Sequence, residues 1–359
     1  MTGRNQVFQG LKCTNKFIHT TFSILSIFAG SNKLIVKPSC IKMKKLIITL
    51  SLAIIGNIFT IKAQDLTAAA ESFNQALQFT KDANYAEALK LYQQTIQTCD
   101  QLGDEGMELK LKAEQQLPST YYNIAKGLYE GKKYTEAIPN FEEAAKYADQ
   151  MGESKTADAS RTYLAGIYTA LGNSDLKAEA FDKALEKYNK ALSYKPEYYK
   201  AYYGMGLVYK KQDNLPMMKE SLDKVISMAG DDAKTIGQAR DAAAGAYLNA
   251  GAKALQANKM ADAIENLNTS LTYNNAEPKA YYYLALAYNG SSKWDDAITA
   301  ANKALELQTE DKSDIYMELG KSYQKKGDNA AACDAYKKVT AGNNVAAAKY
   351  EVEQVLKCQ

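Results

Sequence analysis

From about residue 66 to the end of the chain, apolar residues recur at i, i+3, i+4 and i+7, the spacing that lines one face of an α-helix. The helical stretches come in pairs. A tyrosine-bearing phrase opens the first member, as in Thr120-Tyr-Tyr-Asn-Ile-Ala125, Ala201-Tyr-Tyr-Gly-Met-Gly206, Ala246-Tyr-Leu-Asn-Ala-Gly251, Ala280-Tyr-Tyr-Tyr-Leu-Ala285 and Ile315-Tyr-Met-Glu-Leu-Gly320. About a dozen residues later an alanine-centred phrase opens the second, as in Tyr85-Ala-Glu-Ala88, Tyr134-Thr-Glu-Ala137 and Trp294-Asp-Asp-Ala297. Ala184 to Met218, Tyr247 to Tyr281 and Ala263 to Ala297 are each 34 residues apart, and Tyr281 to Tyr316 is 35. A fixed period of this length predicts stacked two-helix units that bury their apolar faces only against one another.

Seven units are counted from their second-helix positions Ala88, Ala137, Ala184, Met218, Ala263, Ala297 and Ala332. Met218, with Pro216 beside it, makes the fourth the weakest match. Ala88 to Ala137 spans 49 residues, and the surplus lies at Cys99-Asp-Gln-Leu-Gly-Asp104 and the charged stretch after it. Similar text at Ala148-Asp-Gln-Met-Gly-Glu153 and Ser227-Met-Ala-Gly-Asp231 predicts a helix ending at a glycine and an acidic residue opening a longer next helix. Residues 344–359 are expected to form a final helix that caps the last unit.

At these residues the chain resembles the tetratricopeptide repeat family over essentially all of 66–344. The first helix carries an aromatic (Tyr121, Tyr202, Tyr247, Tyr281, Tyr316) with a large–small pair behind it (Ile124-Ala125, Met205-Gly206, Leu284-Ala285, Leu319-Gly320). The second carries small residues and a large aromatic (Tyr92, Phe141, Tyr188, Tyr336). The resemblance implies an all-α fold, an α-α superhelix of about seven hairpins plus the capping helix. It also implies a protein-interaction scaffold whose concave groove, lined by first helices, takes a peptide or protein partner. By repeat position the groove side chains are Asn74, Tyr122, Asn123, Lys126, Tyr129, Tyr203, Lys210, Asn249, Tyr282, Tyr283 and Asn289. Tyrosine, amide and lysine side chains suit an extended peptide; Tyr203, Tyr282 and Tyr283 suit packing between hairpins equally well. Members that clamp a terminal carboxylate need cations where this chain has Phe73, Tyr203 and Gly204, so that specialised role is not expected.

Charge changes the picture at the N-terminus. The whole chain carries 44 Lys+Arg against 41 Asp+Glu, net +3, with 46% hydrophobic residues. Nine of the basic residues and none of the acidic ones fall in residues 1–63, so residues 64–359 hold 35 basic and 41 acidic side chains, net −6. Met43-Lys44-Lys45, the uncharged run Leu46–Phe59 and the small Ala63 form a secretory pattern, with cleavage expected after Ala63. The run is shorter than the ~20 residues of a membrane span. The expected organisation is therefore a non-native upstream extension (1–42), a signal peptide (43–63) and an exported, periplasmic array (64–359). The alternative is a scaffold tethered by an uncleaved 46–61 segment.

An enzyme is not expected. After residue 63 there is no histidine for acid–base or triad chemistry, no zinc-type His/Cys cluster and no phosphate-cradling glycine loop. No cofactor or metal is expected. The negative array also argues against nucleic acid. Of the cysteines, Cys333 and Cys358 would approach if the capping helix runs antiparallel to the last second helix. A disulfide and a buried thiol with a free Cys358 are both compatible with the sequence, and the second is preferred because spacing does not fix the distance.

Overall fold

The structure, a computed structural model, describes residues 62–359. The upstream extension and nearly all of the signal segment lie outside the described residues. The described chain is helical throughout and arranged as seven antiparallel hairpins. The first pairs α1 (62–81) with α2 (Tyr85–Leu102). The surplus that follows is a 3₁₀ turn at Gly103–Glu105 and a short extra helix, α3 (Met107–Glu114). Next come α4 (Leu117–Glu130) with α5 (Tyr134–Met151), α6 (Ser154–Lys177) with α7 (Phe181–Tyr194), and α8 (Tyr199–Lys211) with α9 (Leu215–Met228). The last three are α10 (Ala233–Gln256) with α11 (Met260–Tyr273), α12 (Pro278–Gly290) with α13 (Trp294–Leu307), and α14 (Ser313–Lys326) with α15 (Asn329–Tyr336). The two lengthened first helices, α6 and α10, follow Gly152 and Gly230, both in left-handed conformation, where the glycine and acid pattern placed them.

One turn recurs in every hairpin. An N–H after the first helix donates back five residues: Asn84 to Phe79, Lys133 to Leu128, Ala180 to Asp175, Asn214 to Tyr209, Lys259 to Ala254, Lys293 to Tyr288 and Asp328 to Tyr323, at 2.8–2.9 Å. This closes the helix end by satisfying an orphan carbonyl, and it requires a left-handed residue just before the donor. That residue is Ala83, Lys132, Glu179, Asp213, Asn258 or Ser292, with φ between 53° and 59°; glycine occupies the place only in the seventh hairpin, at Gly327 (φ 89°).

Within each hairpin the helices close on a pair of residues sixteen apart: Ala76 and Tyr92, Ala125 and Phe141, Gly172 and Tyr188, Gly206 and Leu222, Gly251 and Leu267, Ala285 and Ala301, Gly320 and Tyr336. In six of the seven a small member lets the backbones approach and a large one fills the space above it; in the sixth hairpin both members are alanine. At Gly172, Gly206 and Gly320 an added Cβ would lie 2.7, 2.6 and 2.6 Å from the partner side chain. Tyr188 also lies against Gly204 of the next hairpin, so that glycine is required by a close approach. Met218 is fully buried like its six alanine counterparts, and Pro216 sits in the first turn of α9, where its missing N–H costs nothing. The fourth hairpin is therefore a regular member of the array.

First helices of successive hairpins pack directly on one another, α4 with α6, α6 with α8, α8 with α10, α10 with α12 and α12 with α14. Among the described residues no comparably extensive contact joins successive second helices. The first-helix layer is thus the inner side of the curve. At the C-terminus the predicted capping helix is shorter than 344–359: α16 (Val345–Tyr350) runs into a single wide turn at Glu351–Val355. Ala348, Val352 and Leu356 cover Met317, Tyr316, Tyr323, Tyr336 and Val339. Cys333 and Cys358 are joined in a disulfide, with Cα atoms 5.8 Å apart, in place of the preferred free Cys358. The antiparallel return of the tail along α15 brings them together.

Candidate interaction groove

The inner face sorts the candidate residues into those that hold the array together and those that stand free. Tyr122 and Tyr129 of α4 belong to an aromatic cluster between the second and third hairpins. Tyr122 meets Phe141 and Tyr163 edge-on at 5.9 Å, Tyr129 lies 5.0 Å from Tyr163 and 5.5 Å from Tyr134, and Tyr163 stacks on Phe141 at 4.8 Å. Burial raises the Tyr122 phenol above its ordinary value. Tyr203 packs on the core formed by α9 and α10, and its phenol is raised by burial and then by Asp241. Tyr282 and Tyr283 pack against the core of hairpins five to seven, 5.6 Å from each other; burial, with Asp314 and Glu318 nearby, pushes Tyr282 up to about 12. These five tyrosines are half-buried joints between hairpins.

Asn289 departs furthest from its expected place. Its Nδ2 donates to the Glu318 carbonyl (3.1 Å) and to Glu318 Oε2 (3.0 Å), and its Oδ1 accepts from Ser322 Oγ (2.7 Å). Glu318 is only 5% exposed and also receives Lys321 Nζ at 2.6 Å. A buried carboxylate needs such donors, so Asn289 ties α12 to α14 instead of standing free in the groove.

The exposed inner residues are Asn74, Lys126, Lys210 and Asn249. Asn123 is half-buried and donates to Ser119 O at 2.8 Å, while Lys126 lies 3.9 Å from Glu130. Lys210 and Asn249 are brought together. With Asp213, Leu215, Lys253, Gln256 and a wall of Ala246, Ala250 and Ala252, they line a cleft of about 580 Å³ between the fourth and fifth hairpins. Asn249, Lys253 and Gln256 stand at i, i+4 and i+7 on α10, which puts them on one stripe. The three alanines leave the cleft open. Lys253 pairs with Asp213 at 3.1 Å across the mouth, and both remain exposed. Lys253 and Gln256 were not among the sequence candidates; the i, i+4, i+7 spacing from Asn249 was the signal for them. Among the described residues no group of three or more His, Cys, Asp and Glu side chains could hold a metal ion.

Between first and second helices a second pattern repeats. Tyr121 stacks on Tyr147 at 5.8 Å, Tyr168 on Tyr194 at 5.7 Å and Tyr247 on Tyr273 at 6.4 Å, always 26 residues apart. Each pair is held by a side chain of the preceding hairpin. Gln93 donates to Tyr121 Oη at 2.9 Å, Tyr194 donates to Glu142, and Tyr273 donates to Asp223 at 2.6 Å.

Comparison with known proteins agrees with this geometry. A TPR repeat model matches residues 167–213, and tetratricopeptide repeat models match 199–232, 248–315 and 290–351. No curated protein matches the chain. Similar solved structures include MamA from Desulfovibrio magneticus RS-1 (21% identity, TM-score 0.32, covering 49% of this chain and 92% of that one). YrrB, described as a TPR protein with an unusual peptide-binding site, is 18% identical with a TM-score of 0.32 over 48% of this chain and 83% of its own. A tetratricopeptide repeat protein from Parabacteroides merdae is 17% identical with a TM-score of 0.27 over 82% of this chain and all of its own. With the 34-residue period, the repeated turn and the small–large pairs, the repeat-model matches place the chain in the tetratricopeptide repeat family.

Proposed function

We propose that the protein is a non-catalytic interaction scaffold that seats an extended peptide or a loop of a partner protein along its inner face, anchored in the cleft at Lys210, Asn249 and Gln256. The observation that carries this reading is that cleft. It is concave, it has an apolar floor, and it offers one cation and two amides that can engage a peptide backbone and its acidic groups. The test is chemical crosslinking and capture from the cell of origin with the natural protein and a Lys210→Ala/Asn249→Ala/Gln256→Ala variant. Partners are expected to be lost from the variant. Unchanged capture moves the site away from this cleft.

We infer export from the sequence pattern at 43–63, with the cell envelope as the site of action. Among the described residues no helix is long and apolar enough to cross a membrane. Helix α1 already includes Ala63 and Gln64, with Thr67 Oγ1 donating to Ala63 O at 2.9 Å, so cleavage there leaves a chain that begins within the first helix. It also removes Lys62, which lies 3.5 Å from Glu105. Mass determination of the natural N-terminus is expected to find Gln64; a chain retaining Leu46–Phe59 is the tethered scaffold instead.

A further inference from the structure

We propose that the Cys333–Cys358 disulfide is a redox latch on the C-terminal cap: reduction releases residues 345–359 and uncovers the apolar end of the seventh hairpin, while the rest of the array stays folded. The cap is poorly equipped to hold itself. Helix α16 has six residues, far too few to be stable alone. It buries one side chain completely, Ala348, while Val345 and Tyr350, and Val355 in the turn after it, remain exposed at 36, 60 and 48%. The turn that follows is closed by single bonds, Leu356 N–H to Glu351 O and Cys358 N–H to Val352 O, each 2.8 Å. Lys357, beside the cystine, is held in the left-handed region at φ 48°, a conformation disfavoured for an L residue that carries a Cβ. The remaining polar ties are Gln324 to Glu351 (2.8 Å) and Lys337 Nζ to the Gln359 carbonyl (2.7 Å).

The element beneath is also the shortest second helix of the seven: α15 has eight residues. The disulfide joins its middle to the penultimate residue of the chain and closes a loop with a sequence separation of 25, which confines the tail over Met317, Tyr336 and Val339. Both cysteines are half-buried and thus within reach of a small thiol. The chemistry balances with a dithiol reductant. One thiolate attacks a cystine sulfur and displaces the other as thiolate. The second thiol then resolves the mixed disulfide, leaving an oxidised reductant and two protein thiols, with two electrons transferred.

The test uses the 64–359 array and the full chain, with dithiothreitol as the reductant and hydrogen exchange read by mass spectrometry. Reduction is expected to add two alkylatable thiols and to speed exchange at 345–356 at least tenfold, leaving 181–307 unchanged. A Cys358→Ser variant, never reduced, is expected to reproduce the fast tail, and a Val352→Ala/Leu356→Ala variant to widen the effect of reduction. Unchanged exchange on reduction overturns the proposal, as does accelerated exchange through the whole array, which makes the bond a global staple. A non-reduced 64–359 array in which Cys99, Cys333 and Cys358 are all free thiols overturns it too.

Discussion

At the scale of single residues, glycine here is a packing residue. Gly320 faces the Tyr336 ring and would place a Cβ 2.6 Å from it, whereas Gly245, midway along α10, would meet nothing within 4 Å. The two are opposite cases of one substitution. Gly320→Ala is expected to destabilise by about 1–3 kcal/mol through overpacking, and Gly245→Ala to stabilise by about 0.5–1 kcal/mol through helix propensity. Urea denaturation of the two variants checks both signs. The small residues and large aromatics of each unit were legible in the sequence because they recur with the period, and Met218, which departs from its alanine counterparts in size, is buried as they are. The inner-face side chains were legible by position but not by duty. Asn289 and Asn249 occupy inner faces of different first helices, yet Glu318 recruits Asn289, and only a neighbouring hairpin's sequence decides that.

At the scale of the helix pair, tyrosines carry contacts between hairpins, and their ionisation links stability to pH. Burial holds the Tyr188 phenol at about 12, with Asp175 adding to it; burial and then the hydrogen bond to Asp223 hold Tyr273 at about 12. A phenol raised in the folded chain binds its proton more tightly there than in the unfolded chain, where it titrates near 10. Stability is then complete below pH about 10 and falls as pH rises toward 12. The urea midpoint is expected to be level from pH 7 to 9 and to drop between 10 and 12, less steeply in Tyr273→Phe. A loss beginning below pH 9 would point to a different group. Helix pairing itself was readable from periodicity. Added helix in the surplus of 15 residues was readable too, but not that it is a separate α3 set off by a 3₁₀ turn, since its apolar residues Met107 and Leu111 remain exposed and follow no core face.

At the scale of the whole molecule, each hairpin touches only its neighbours, through its second helix against the next first helix and through the inner layer of first helices, so stability is a sum of local terms and the ends are the weak places. The cap addresses one end. The recurrent turn has a further consequence for the molecule as a whole. Six of its seven left-handed positions carry residues with a Cβ, and four of those, Ala83, Lys132, Glu179 and Ser292, are neither glycine nor an asparagine-type residue that tolerates the conformation. The array therefore holds an unspent reserve of stability, three of its four positions lying in the first three hairpins. Lys132→Gly is expected to raise stability by about 1 kcal/mol, since the relief of strain exceeds the added freedom of the unfolded chain. The same change at Ala83 and Glu179, in the turns of the first and third hairpins, should add nearly independently. Thermal unfolding of the single, double and triple variants reads this directly. Such a chain can be made progressively more stable one bend at a time, without altering a single residue of its inner face.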